Sequence, residues 1–588
     1  MRLDHFLPTL KRAKKADRKP PGKLRRILER IGPTMASSPV RRVIQTLCLA
    51  VFLVSFFYIC WPYTAKPAAA SAAPASEAQL DALLAGEAPW PSHYADDLKR
   101  KEVIPADLFL RIDPLVSLST AIASRSWVYS LVSAGIILLV CVLIPRGFCG
   151  YLCPLGTTID VFDWLIGRRV KRFRVKGDGW WVHIKYYVLL GTLVAAAFGV
   201  LISGFFSAIP VITRGLLFFA EPVQTGALRG WHLAVPLHAG HVISMLLFAG
   251  VLALGLLRPR FWCKYVCPSG AVFSLANVFR VTERKVEDSC IKCRKCVDIC
   301  PFDAIKPDFT TRVTDCTLCQ TCGGVCPSLS IKFVDRWDVF KLKKENDPPT
   351  HETALGRRGF VSLATGAALA TAAGGAAKLL AADLDNPQAF RPVRPPGSVP
   401  EREFLEMCIR CGECFKACPN NVLQAEGFEQ GLEGLWTPMV KADWAGCESS
   451  CNACGQVCPT GAIQPLPLEV KKKTRIALSE VNHDTCLPHA GREACQLCVD
   501  DCAAAGYHAI EFVQVHTETD AKGNPIEGTG FVAPVVLADK CVGCGLCQTR
   551  CYGINAIEKH LLTKSAIVIS AGHGKEDRIS PRAPRFQS

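Results

Sequence analysis

A multidomain membrane protein, with a four-helix transmembrane unit (all-α) ahead of small α+β domains, is predicted by three features of the 588-residue sequence. Hydrophobic residues make up 49% of the chain and gather in stretches long enough to cross a bilayer. Lysine and arginine crowd the amino terminus and alternate flanks of those stretches, contributing to a formal charge of +16. Of 31 cysteines, 24 fall into six quartets, whereas a disulfide scaffold would scatter them, so the quartets read as metal ligands.

Residues 1–42 form a basic tail that includes Lys11, Arg12, Lys14, Lys15, Arg41 and Arg42. It reads as disordered, cytoplasmic and close to anionic lipid, and nucleic acid is not needed to explain its charge. The membrane domain is expected over 43–280, with spans near 43–62, 127–145, 181–205 and 238–257 and external loops near 63–125 and 206–237. Residues 146–185 carry Arg168, Arg169, Lys171, Arg172, Arg174 and Lys176, whereas 206–237 carry only Arg214 and Arg229. The positive-inside rule therefore puts both ends of the unit in the cytoplasm. Cys149-x3-Cys153-Pro154 follows the second span and Cys263-x3-Cys267-Pro268 the fourth, at the same membrane face. Their four thiols are candidates for a shared metal group or for redox-active pairs. The plainer alternative is a small buried residue before a helix-breaking proline.

Residues 281–340 hold Cys290-x2-Cys293-x2-Cys296-x3-Cys300-Pro301 and then Cys316-x2-Cys319-x2-Cys322-x3-Cys326-Pro327. This is the bacterial ferredoxin run, in which three thiolates on one tight loop are completed by the last cysteine of the other copy. Cys290, Cys293 and Cys296 then go with Cys326, and Cys316, Cys319 and Cys322 with Cys300. Zinc sites favour two separated pairs over triplets.

Within 341–403, Arg357-Arg358-Gly359-Phe360 precedes an Ala/Gly-rich run in the manner of a twin-arginine export signal, and a Pro-rich linker follows from about 383. Residues 404–570 carry four unequal quartets. These are Cys408, Cys411, Cys414 and Cys418; Cys447, Cys451, Cys454 and Cys458; Cys486, Cys495, Cys498 and Cys502; and Cys541, Cys544, Cys547 and Cys551. Short strands at Ala509–Val515 and Ala533–Leu537 suit a small α+β unit, and 571–588 reads as a disordered tail. The expectation is a set of ferredoxin-like α+β domains with six [4Fe–4S] clusters and about 24 iron atoms, or about 28 with a seventh at the membrane-face cysteines.

No Cys-x2-Cys-His or Gly-x-Gly-x2-Gly run is present, which argues against covalent haem and a bound dinucleotide. Oxidising a quinol would need acid–base groups at a membrane face, and His238 and His241 share one face of the fourth span. His232 and Glu221 precede them, and His183 begins the third span.

The span-and-motif half resembles NapH, and its relative MauN, from quinol dehydrogenases. The twin-arginine segment and four unequal quartets resemble NapG and MauM, the exported ferredoxin-type partners. The chain looks like a head-to-tail fusion of the two over about 40–570. The resemblance implies electron transfer from the quinone pool, through clusters, to a periplasmic cytochrome or reductase such as nitrate reductase. It puts the chain in the bacterial inner membrane, with the first ferredoxin pair cytoplasmic and the last four quartets periplasmic. It also implies that quartets one and four exchange their last cysteines, as do two and three. A maturation or regulatory factor for a periplasmic metalloenzyme is the alternative of a different class.

Overall fold

The computed structural model describes residues 33–59, 107–167, 169–170, 180–228, 231, 234–287, 289–335, 357–376, 390–518 and 529–578. Most of the basic tail, residues 60–106 of the first expected loop, His232 and the last ten residues lie outside this set. The chain divides into two compact units, one of 1–56, 108–215 and 244–379, the other of 57–107, 216–243 and 380–588.

The apolar part of the first unit is built from short helices rather than four uniform spans. Helices long and apolar enough to cross a membrane occur at Pro39–Phe57 and Ala239–Leu256, and the apolar helices Pro114–Ser124, Ser130–Leu143 and Trp181–Ala197 are shorter. Where four spans are expected, two helices of sufficient length stand among the described residues.

Part of the first expected external loop is buried helix. Asp113 caps Pro114–Ser124 by accepting from Leu115 N at 3.1 Å, and a proline fills the first helical position. Its carboxylate also accepts from Ser207 Oγ and Ser269 Oγ, while Ser119 reaches Ser203 at 2.7 Å. Leu115, Leu189 and Ala271 pack together behind this seam. The second expected loop also contains a helix, Ala208–Leu228. Arg214 and Glu221 lower its hydropathy, but Arg214 is fully buried and donates to Gly204 O at 2.8 Å.

The twin-arginine segment forms the helix Arg357–Ala376, which lies against Ile184–Ala197. The approach depends on glycine: a Cβ on Gly374 would sit 2.6 Å from Gly191 O. Arg41, grouped by sequence with the lipid-facing tail, is instead 1% exposed and bonds Gly150 O at 3.1 Å.

The first ferredoxin domain pairs β1 (Thr282–Val286) with β2 (Ile331–Asp335), antiparallel. Alternate residues face a core of Ile305, Leu318, Ile331 and Phe333 with Cys296 and Cys322.

The second unit repeats one plan twice. A quartet, an antiparallel hairpin and another quartet come first with β3 (Leu423–Ala425) and β4 (Pro438–Val440). The same order recurs with β6 (Ile510–Val515) and β7 (Phe531–Val536), enclosed by β5 (Leu478–Val481) paired to β8 (Ile567–Ser570). The last part of the expected linker belongs to this core: Arg394 is 1% exposed and bonds Glu401, Glu426 and Gln430. The start of the expected disordered tail is also tied down, by Asp577 N to Arg475 O at 2.8 Å and Arg578 to Glu401 at 2.8 Å. Polar side chains satisfied by buried partners explain both differences, because composition alone reads them as solvated.

Candidate cluster-binding sites

Backbone conformation shapes the regular quartets. The residues two and four places after the first cysteine take left-handed φ in four of them: Lys292 and Arg294, Leu318 and Gln320, Arg410 and Gly412, Gly543 and Gly545. That alternation curls the loop so that successive N–H groups face inward, a concave site for a negatively charged group. The third cysteine then lies on a short helix, as Cys296 does on Lys295–Ile299 and Cys414 on Glu413–Ala417. The fourth is extended at the helix end, with ψ of 113° at Cys300, 116° at Cys326 and 114° at Cys418, as the following proline requires.

Cavities show which thiols converge. One is lined by Cys408, Cys411, Cys414 and Cys458. A second is lined by Cys447, Cys451, Cys454 and Cys418. A third is lined by Cys486, Cys495, Cys498 and Cys551. Cys502 lies in electrostatic reach of Cys541 and Cys544, and Cys547 in reach of Cys541 and Cys502. Quartets one and two therefore exchange their last cysteines, as do three and four. This corrects the one–four and two–three exchange taken from the resemblance. The hairpin between the two quartets of each half folds them face to face.

The four sites form a row. Cys414 neighbours Cys454, Cys447 N donates to Cys544 O at 2.7 Å, and Cys547 neighbours Cys498. In the first unit Cys296 neighbours Cys290 and Cys326, and Cys322 neighbours Cys319, Cys300 and Cys316, the grouping read from spacing. Cys149, Cys153, Cys263 and Cys267 also lie within mutual electrostatic reach.

The donor sets suit cubes better than single ions. All described cysteines are free thiols. Four sulfurs about 2.3 Å from one zinc ion would crowd within about 4 Å of one another. Among the described residues no group of three or more candidate ligands closes onto a single ion. Backbone N–H groups point at the sulfurs, from Ala304 to Cys300 at 3.3 Å, Ala509 to Cys502 at 3.2 Å and Ala566 to Cys551 at 3.4 Å, bonds that help set a cluster's potential. Burial pushes the Cys319 thiol up, but Arg41 and hydrogen bonding with Thr321 outweigh it and hold the thiol below its ordinary value. Arg284 lies beside Cys296, Cys316 and Cys322 of both sets in the first ferredoxin domain. Sequence reading missed Arg41 and Arg284 because it takes arginine as solvated charge.

His241 is 5% exposed, its Nδ1 accepts from His238 N at 3.1 Å, and its ring meets Phe218 at 4.3 Å. It lines a pocket with Glu221 and Leu217, walled on the other side by Phe415, Asn421 and Leu423 of the four-quartet domain. Trp436 Nε1 donates to Gly240 O at 2.7 Å beside it. Glu221 accepts from Thr225 at 2.5 Å. His238 is exposed, and His183 is exposed at the start of Ile184–Ala197.

A 4Fe–4S binding domain model matches residues 127–172, 241–286 and 454–476, a 4Fe–4S dicluster domain model matches 405–463, and another 4Fe–4S binding domain model matches 284–306. Over 161 residues the chain is 34% identical to the methylamine utilization ferredoxin-type protein MauM of Methylorubrum extorquens, covering 27% of this chain and 67% of that protein. For MauM of Paracoccus denitrificans the identity is 32% over 167 residues, 28% of this chain and 69% of the relative. The ferredoxin-type protein NapG of Escherichia coli is 30% identical over 161 residues, 27% of this chain and 65% of the relative. The chain thus spans about two thirds of the length of these curated relatives. No solved structure matches it.

Proposed function

Because the chain belongs to the family of MauM and NapG ferredoxin-type proteins, and carries electrons through [4Fe–4S] clusters, we propose that it is a membrane-bound polyferredoxin fed by quinol. It delivers those electrons to a periplasmic cytochrome or reductase chain, such as one ending in nitrate reductase. Each quartet, with its exchanged cysteine, holds one cube, six in all. The clusters supply one-electron acceptors with potentials set by hydrogen bonding and exposure.

The observation that carries the quinol reading is the pocket holding His241 and Glu221, whose far wall, Phe415 and Asn421, flanks Cys418 in sequence, a thiol of the second site in the row. Quinol oxidation releases two electrons and two protons. Because Nδ1 of His241 accepts a backbone hydrogen bond, the neutral ring carries its proton on Nε2 and can donate to a quinol oxygen. Glu221, as a carboxylate, accepts the two protons one at a time, passing the first to solvent before it takes the second, and His238 N positions the ring. In this reading the chain lies in the bacterial inner membrane among lipid and quinone, with the first ferredoxin pair cytoplasmic and the four-cluster domain periplasmic. The basic flanks and the twin-arginine pair support that placement.

The test is anaerobic stopped-flow reduction of the purified protein by a short-chain quinol. Glu221→Gln should slow cluster reduction on the order of 10²-fold or more while dithionite still reduces the same clusters. Clusters of the parent protein that stay oxidised under excess quinol would remove the quinol donor.

A further inference from the structure

The two membrane-face motifs are copies of a longer pattern: Arg146-x2-Cys149-x3-Cys153-Pro154-x-Gly156 and Arg260-x2-Cys263-x3-Cys267-Pro268-x-Gly270. Their conformations match. Arg146 and Arg260 are both left-handed, at φ 48° and 54°. Each first cysteine lies on a π-helical turn, Phe148–Leu152 or Trp262–Val266, of a kind common at functional sites. Each second cysteine is extended, with φ, ψ of −64°, 115° and −60°, 114°, and precedes a helix that opens on proline.

The arginines swap between the copies. Arg260 Nη1 donates to Cys149 O at 3.0 Å, and Arg146 Nη2 donates to Cys263 O at 3.2 Å. The glycines leave room for them: a Cβ on Gly156 would stand 3.4 Å from Arg260 Nη1, and one on Gly270 3.2 Å from Arg146 Nη2. The result is a local pseudo-two-fold arrangement with four thiols around its centre.

Charge says what that centre needs. The ion pairs around it join seven cations, Arg41, Arg42, Arg146, Lys185, Arg258, Arg260 and Lys264, to three carboxylates, Asp160, Asp303 and Asp315. Five of the cations, Arg41, Arg146, Lys185, Arg260 and Lys264, are at most 2% exposed and outnumber the three carboxylates by two, a costly excess if nothing else neutralises it. Sulfur is the anion source at hand: Arg260 faces Cys153 and Cys263, Arg146 faces Cys149, Arg41 faces Cys319 and Lys264 faces Cys300. An oxidised cube with four thiolates carries about −2, the size of that excess. A disulfide across either motif would supply none.

We propose that Cys149, Cys153, Cys263 and Cys267 hold one further [4Fe–4S] cluster, placed to exchange single electrons with the cube of Cys316, Cys319, Cys322 and Cys300. The loop carrying Cys316 and Cys319 rests on the first motif: Tyr151 Oη donates to Leu318 O at 2.9 Å, and a Cβ on Gly150 would stand 3.1 Å from Thr317 Cβ. No proton moves in such an exchange, because one cube is oxidised as the other is reduced.

The experiment compares iron and acid-labile sulfide in the full-length protein with those in Cys153→Ala/Cys267→Ala, both prepared anaerobically. The expected result is a loss of about four iron and four sulfide per chain, together with loss of spin coupling from the signal of the neighbouring reduced cube. An unchanged count, or one zinc per chain in the parent that the variant lacks, overturns the proposal. If the variant does not fold, maleimide labelling of the folded parent decides instead. Protection of all four thiols until iron is chelated supports the cluster, and immediate labelling, or labelling only after disulfide reduction, overturns it. None of these readouts depends on the electron donor.

Discussion

Replacing Cys458 by alanine should take iron from the site whose other thiols are Cys408, Cys411 and Cys414, although Cys458 comes 44 residues after the nearest of the three in another quartet. The structure sets the size of the effect. Cys408→Ala/Cys411→Ala withdraws two of four thiolates from one site and should abolish one cube, a loss of about four iron atoms per chain. Adding Cys458→Ala to that pair should then remove no further iron, because the cube it serves is already gone. Adding Cys551→Ala should remove between about one and four more, since Cys551 completes the separate site of Cys486, Cys495 and Cys498. Iron and sulfide per chain, with Mössbauer spectra to tell lost cubes from three-iron remnants, read the difference. If Cys458→Ala costs the triple variant further iron and Cys551→Ala does not, the exchange described above is refuted.

Two other consequences can be measured. Burial pushes the Glu401 carboxyl up, but Arg394 and Arg578 outweigh it and hold it down to about 2. The unfolded chain therefore binds the extra proton as pH falls, so this contribution, at most about 3 kcal/mol, is present above the ordinary carboxylate range and lost as pH falls through about 2. The gap between the urea midpoints of the parent and Glu401→Gln should narrow steadily from pH 5 to pH 3, and a constant gap would contradict the pairing. Asp160 takes Arg260 through two bonds at 2.7 and 2.8 Å, Arg42 at 2.6 Å and Arg41 at 3.4 Å. Asp160→Asn leaves these cations short of a counter-charge and should cost about 3–5 kcal/mol in detergent unfolding, against about 0.5 or less for Glu469→Gln at the exposed Lys472 pair.

What could be read in the sequence follows the range of the interactions concerned. Ligand spacing is local, so every quartet was visible, as was the exchange between Cys300 and Cys326. The second exchange was misread because it was taken from relatives, although a signal was present: Cys418 and Cys458 precede proline, while Cys502 and Cys551 do not. Like pairs with like. The curl of the loops was hidden, because Lys292, Arg294, Leu318, Gln320 and Arg410 are not residues that favour left-handed backbone. Hydropathy windows passed over Pro114–Ser124 because eleven Ser-containing residues are too short to register. Buried arginine was the commonest blind spot, at Arg41, Arg146, Arg214, Arg260 and Arg394, since each looks solvated until its carboxylate, carbonyl or thiolate neighbour is known.

The exchanged cysteines also order events during synthesis. A ribosome that has delivered Cys408, Cys411 and Cys414 has not finished a site, because the closing thiol is 44 residues further along, at Cys458. For the site begun at Cys486 the chain must emerge to Cys551, 65 residues further along. Cofactor insertion into each half thus waits until both of its quartets have emerged, and an export system that waits for folded cargo would be held back by the same delay.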